Sequence, residues 1–105
     1  MTGYSVVLMT ASSLVEAENI AENLVSNKLA ACVNILPNIK SFYWWEDKLC
    51  KDDESLLIAK IKTDNFNDLE KTVRKIHSYD VPEIIMVPLE AGSKNYLDWI
   101  KKVTR

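Results

Sequence analysis

The apolar positions of this chain alternate between two periods, and each change of period marks an element. Tyr4 to Thr10 (Tyr-Ser-Val-Val-Leu-Met-Thr) is short, β-branched and almost wholly apolar, the pattern of a buried strand. Ser12 or Ser13 then offers a helix N-cap, and Glu16 stands three residues after Ser13, the spacing of a capping box. Leu14, Ala17, Ile20, Ala21, Leu24 and Val25 recur at helical spacing, which predicts an amphipathic helix ending near Asn27-Lys28. From Ala31 to Glu46 there is no helical period and the residues are strand formers, with Pro37 predicting a bulge or bend. Asp47-Lys48 marks a turn. A second extended run, Leu56 to Thr63, returns after the charged stretch Lys51-Asp52-Asp53-Glu54, and the two runs read as a long hairpin. Asp64 or Asn65 is placed to cap a second helix carrying Phe66, Leu69, Val73 and Ile76 on one stripe. A strand from Ile84 to Leu89 follows. A short helix from Ser93 to about Lys102 closes the chain, with Tyr96, Trp99, Ile100 and Val103 on one side.

Strand, helix, strand, strand, helix, strand and a terminal helix is the order of an α+β, ferredoxin-like split βαβ sandwich. The expectation is one domain over residues 1–105, with an antiparallel sheet, two helices on one face, a long hairpin between the second and third strands, and an extra C-terminal helix. The hairpin holds more strand than one small subunit needs, since ordinary strands run to about 10 residues. Phe42, Tyr43, Trp44 and Trp45 are consecutive, so their side chains must fall on both faces of the strand. Aromatic side chains dominate interfaces. The pattern predicts a hairpin tip docked on a neighbouring subunit, the alternative being a hairpin folded back over its own core.

Composition narrows the partners. The chain has 105 residues, 48% apolar and 27% charged, with a net charge of −2 and no basic stripe. Nucleic-acid binding therefore has no electrostatic support, and no apolar stretch approaches the ~18 residues of a membrane span. The start, Met-Thr-Gly-Tyr, lacks signal-peptide character, so the cytoplasm is the expected compartment. Cys32 and Cys50 fit neither a disulfide framework nor a zinc pattern. Both read as free thiols, Cys32 buried and Cys50 exposed in a charged turn.

The candidate chemistry lies in His77-Ser-Tyr-Asp-Val-Pro-Glu83, which contains the only histidine. His77, at the end of the second helix, is a possible metal ligand or a cap for the last carbonyls. Tyr79, Asp80 and Glu83 follow on a loop held by a strand, a common way to build a site. Lys60 shares a strand face with Leu56 and Ile58. An ammonium in such a setting wants a carboxylate, with Glu83 available, or an anionic ligand, unless it snorkels to water. One histidine with scattered carboxylates falls short of the three or four ligands of a zinc centre, unless another subunit completes the set. Catalysis has one opening, a thiol enzyme built on Cys32 and His77. With no phosphate loop or nucleophile elbow, a non-enzyme is expected.

Ala30-Ala-Cys-Val-Asn34, Ser41-Phe-Tyr-Trp-Trp-Glu46, the Lys60 strand, His77 to Ile84 and Asn95-Tyr-Leu-Asp-Trp-Ile100 occur in the order seen in the CutA divalent-cation tolerance family. The chain resembles that family over nearly its whole length. The resemblance implies a ferredoxin-like fold, a homotrimer held by inter-subunit sheet pairing, and a non-catalytic role in the response to metal ions, copper especially. It places Trp45, Lys60, His77, Tyr79, Pro82 and Glu83 near a cleft between subunits. Some bacterial members have a cysteine where this chain has Met9 and a histidine where it has Ile76, groups associated with copper. The expected function is weak divalent-metal (copper) binding at His77. The alternative, by analogy with the similar trimers of PII signalling proteins, is a sensing or interaction module holding an anionic small molecule against Trp45, Lys60, His77, Tyr79 and Glu83.

Overall fold

In the computed structural model, which describes residues 1–105, the strands are β1 (Tyr4–Ala11), β2 (Cys32–Trp45), β3 (Lys48–Lys62) and β4 (Ile84–Pro88). The helices are α1 (Leu14–Ser26), α2 (Phe66–Ile76) and α3 (Lys94–Val103). The strands form one sheet in the order β2-β3-β1-β4, every pair antiparallel. This is the expected α+β arrangement, with the long β2–β3 hairpin and the added terminal helix.

Alternation along β1 sorts the two faces. Ser5, Val7, Met9 and Ala11 are buried, whereas Tyr4, Val6 and Leu8 are only half-buried. The register carries this parity across the sheet. Val7 lies opposite Ala59 and Met86, and Leu8 opposite Ile58 and Ile85. α1 and α2 cover the Val7 face with Ala17, Ile20 and Leu24 from the first helix and Leu69 and Val73 from the second. Each large side chain sealed there contributes roughly 1.5–3 kcal/mol relative to exposure. The Leu8 face is also apolar, yet Leu36, Ile85 and Val87 on it remain exposed.

Ser13 caps α1, accepting the Glu16 N–H at 3.1 Å. Leu14 and Val25, expected in the apolar stripe, are exposed at the ends of the helix. Neither Asp64 nor Asn65 caps α2 through its side chain. The chain enters that helix through a 3-10 turn, Thr63–Asn65, and the Asn65 amide instead donates to the Arg105 carbonyl at 2.6 Å, pinning the C-terminus. Pro37 interrupts the ladder as expected. The register shifts between Leu36 and Ile39, and Asn38 takes φ +61° to make the bulge.

The charged stretch Lys51–Glu54 is strand, which corrects its reading as a segment outside the hairpin strands. The turn needs only Glu46 and Asp47, at φ +49° and +61°, the conformation that matches a two-residue connection to strand twist. β3 therefore begins at Lys48, and the charges become cross-strand partners. Lys40 pairs with Asp53 at 2.5 Å, and the Lys51 ammonium lies 5.5 Å from the centre of the Phe42 ring. Cys50 consequently lies in a strand, half-buried opposite Tyr43. Cys32 is half-buried too, not core, because its parity matches Lys60 on the open face. The arm does not fold back over the core. Phe42 and Trp44 at its tip are 64% and 73% exposed.

Candidate functional site

The segment after α2 is held by the start of α1. His77 ends α2, its backbone N–H bonded to the Val73 carbonyl at 2.9 Å. The next residue turns towards Glu16. That carboxylate accepts the Ser12 N–H (2.9 Å) and hydroxyl (2.8 Å), and the Ser78 N–H (2.7 Å) and hydroxyl (3.1 Å). Burial works against the Glu16 charge, but hydrogen bonds from Ser12 and Ser78 outweigh it and lower the pKa to about 2. The capping-box glutamate thus clamps a loop distant in sequence.

His77 is wholly enclosed, its side chain 0% exposed. Its Nε2 lies 2.7 Å from the Thr10 carbonyl, which can only accept, so Nε2 carries the proton. Nδ1 then accepts the Tyr79 N–H at 3.1 Å. The Tyr79 ring packs against the imidazole with centroids 4.8 Å apart, and its hydroxyl donates to Glu54 Oε2 at 2.7 Å. A relay of contacts therefore runs from Thr10 through His77 and Tyr79 to Glu54. Burial first, and the bond to Glu54 second, push the Tyr79 phenol up. Burial and the Glu54 charge raise Glu83.

This relay forms one side of a cleft of about 710 Å³ between the loop and the β2–β3 arm. Phe42, Tyr43 and Trp45 line the arm side. Three carboxylates, Glu54, Asp80 and Glu83, face it against one ammonium, Lys40, which is already paired with Asp53.

Of the candidate residues, Trp45, Tyr79 and Glu83 line this cleft. His77 stands behind the cleft as a strut; in this arrangement neither ring nitrogen is open to a metal. No three His, Cys, Asp or Glu side chains converge as a metal-ligand set, so the residues of the chain do not fit a closed metal centre. Lys60 lies elsewhere. The register sets it beside Val6 and Cys32, whereas the cleft begins at Thr10, opposite Leu56. Four strand residues, roughly 13 Å, separate the two positions. Its ammonium approaches Cys32 Sγ at 3.8 Å and forms no salt bridge with Glu83. The same register keeps Cys32 away from His77, so the suggested thiol–imidazole pair does not form. Glu54, the most enclosed carboxylate of the cleft, was missed because its stretch was read as lying outside the strands. Parity with Leu56 and Ile58 is the signal that would have found it.

Residues 5–103 match the family described as CutA1 divalent ion tolerance protein. The divalent-cation tolerance protein CutA of Archaeoglobus fulgidus is 46% identical over 97 residues, covering 92% of this chain and 94% of that protein. The rice protein named CutA 1, chloroplastic, is 44% identical over 100 residues, 95% of this chain; the match spans 56% of the rice protein's length. The solved structure of the divalent cation tolerance protein of Thermus thermophilus superposes with a TM-score of 0.95 at 42% identity, covering 97% of this chain and 99% of that one.

Proposed function

The chain belongs to the CutA1 divalent ion tolerance family, and from that premise we propose a homotrimeric, non-catalytic protein of divalent-cation tolerance that holds metal ions weakly. The observation that carries the assembly is the unfilled half of the sheet. Leu36, Ile85 and Val87 are exposed on it, and a 14-residue β2 and 15-residue β3 project an aromatic tip whose Phe42 and Trp44 stay largely exposed. Exposed apolar patches of this kind mark interaction surfaces, and a second and third copy supply the missing cover. Three is the number the family resemblance implies.

The metal part of this reading rests on the family's description as divalent ion tolerance proteins, and the site chemistry argues that any such binding is weak. Copper would reach His77 only by taking Nδ1 from the Tyr79 N–H, and the cleft carboxylates do not form a ligand set. The cytosol is the proposed compartment, since both cysteines are unpaired. Sedimentation equilibrium at micromolar concentration tests the trimer; a monomer there would overturn it. Calorimetric copper titration of the native chain and His77→Ala tests the metal reading. Weak binding lost in the variant supports His77, and unchanged binding removes it from the site.

A further inference from the structure

We propose that the cleft between the β2–β3 arm and the His77–Glu83 loop binds a small organic cation: a primary ammonium or guanidinium on an apolar or aromatic body. The cleft, about 710 Å³, is in the range of small-molecule sites, roughly 300–1,000 Å³, and far larger than a bare ion needs. Its charge is one-sided. Glu54, Asp80 and Glu83 line it, and its one ammonium, Lys40, is neutralised by Asp53.

Glu54 carries the proposal. It is 8% exposed and lines the cleft, yet no cationic side chain pairs with it. Oε2 accepts the Tyr79 hydroxyl, and Oε1 is accessible from the cleft, with no donor from the chain itself. A carboxylate this enclosed, with one oxygen open to the cleft and no counter-charge from its own chain, is a ready partner for a cation. The contacts from Thr10 through His77 and Tyr79 hold it in place. An ammonium at Oε1 supplies both the missing donor and the missing charge. It also relieves the repulsion from Glu54 that, after burial, raises the pKa of Glu83.

The walls select the rest of the ligand. Phe42, Tyr43 and Trp45 offer ring faces to a cation and apolar area to its body. A divalent metal is a poor occupant, because hard cations take six or more oxygens at about 2.0–2.6 Å and no acidic set converges here. An anion would meet three carboxylates. The sign of this cleft favours a cation, and Lys60 of the same chain lies outside it.

The test titrates the full chain, in its native assembly, with 2-phenylethylammonium and separately with 3-phenylpropanoate, which has a similar body and the opposite charge. Trp45 lines the cleft and reports binding by fluorescence; calorimetry confirms it. Saturable binding of the ammonium and none of the carboxylate is expected. Glu54→Gln retains an acceptor for Tyr79 and should weaken binding by about tenfold or more, the effect of losing a charge-assisted hydrogen bond. Glu83→Gln should weaken it less. Thermal melts check that both variants fold, and Glu83→Gln decides the matter if Glu54→Gln does not. Equal binding of the anion, no saturation by the ammonium, or unchanged affinity in the folded variants overturns the proposal. Zinc chloride alone saturating the same signal at lower concentration would transfer the site to metal.

Discussion

The two faces of the sheet are built from the same strands with the same kind of side chain, and they meet different fates. Val7, Leu57 and Ala59 point under α1 and α2 and are fully buried; Leu8 and Ile58, one residue away on the same strands, and Ile85, opposite Leu8 on β4, point outward and are not. Apolar alternation reports that a face must be covered. It does not report what covers it. Leu36, Ile85 and Val87 are about half covered already, so covering the rest is worth roughly 1 kcal/mol apiece, which is free energy available to association and absent from the fold of one chain.

The largest effect separates the faces by concentration dependence. Leu57→Ala should cost about 2–5 kcal/mol, since a fully enclosed side chain leaves a cavity. Urea melts should show that loss at every protein concentration. Ile85→Asp should instead shift the assembly towards monomer, with a stability deficit that is small where both proteins are dissociated and grows as rising protein concentration assembles the native chain. Equal losses at all concentrations in both variants would mean that the second face is not an interface.

The arm sharpens the same contrast. Trp44 is 73% exposed in the single chain, so a monomer should lose almost nothing on Trp44→Ser. At the centre of an interface, truncating a tryptophan costs about 2 kcal/mol or more. Sedimentation velocity on Trp44→Ser should show smaller species with an unchanged far-ultraviolet circular dichroism spectrum.

Element order and type were legible because each element carries its own period: seven positions of near-continuous apolarity for β1, the 3-4-3 stripe of α2, the proline at the bulge. The extent of β3 was not. Lys51 to Glu54 carries no apolar alternation, and its strand form comes from pairing with β2 and from a two-residue turn at Glu46-Asp47. The site was half legible. Trp45, Tyr79 and Glu83 converge because hairpin and loop are brought together by the fold, while Lys60 was displaced by four residues of register that no single strand reveals. His77 was legible as special, and its chemistry was not. The partners that occupy its nitrogens, the Thr10 carbonyl and the Tyr79 N–H, are backbone groups that no side-chain pattern announces.

A smaller effect tests the clamp behind the cleft. Glu16→Gln keeps the shape but weakens four charge-assisted contacts to Ser12 and Ser78, and should cost about 1–3 kcal/mol. The pH dependence has a definite sign. The folded pKa of Glu16 is lowered from 4.5 to about 2. Its contribution is therefore present above the unfolded pKa and is lost as pH falls from about 4.5 towards 2. Acid titration of urea midpoints should be shallower in that window for Glu16→Gln than for the native chain. Parallel curves would remove the clamp from the account of the loop.

The smallest effect is at the base of the arm. Lys40 and Asp53 pair at 2.5 Å, but their side chains are 61% and 65% exposed, and such pairs contribute about 0–1 kcal/mol. If the arm were held upright by its own cross-strand charges, Lys40→Ala would loosen it, and hydrogen exchange along Ile39–Trp45 would accelerate. If the arm is ordered by its ladder and by a neighbouring subunit, the variant should melt within about 0.5 kcal/mol of the native chain, as surface changes usually do, and its exchange pattern should stay the same. Removing this ammonium also leaves the cleft more negative. Lys40→Ala should then bind 2-phenylethylammonium at least as tightly as the native chain, which is opposite in direction to Glu54→Gln. A matching loss of affinity in both variants would mean that the cleft responds to its shape and not to its charge.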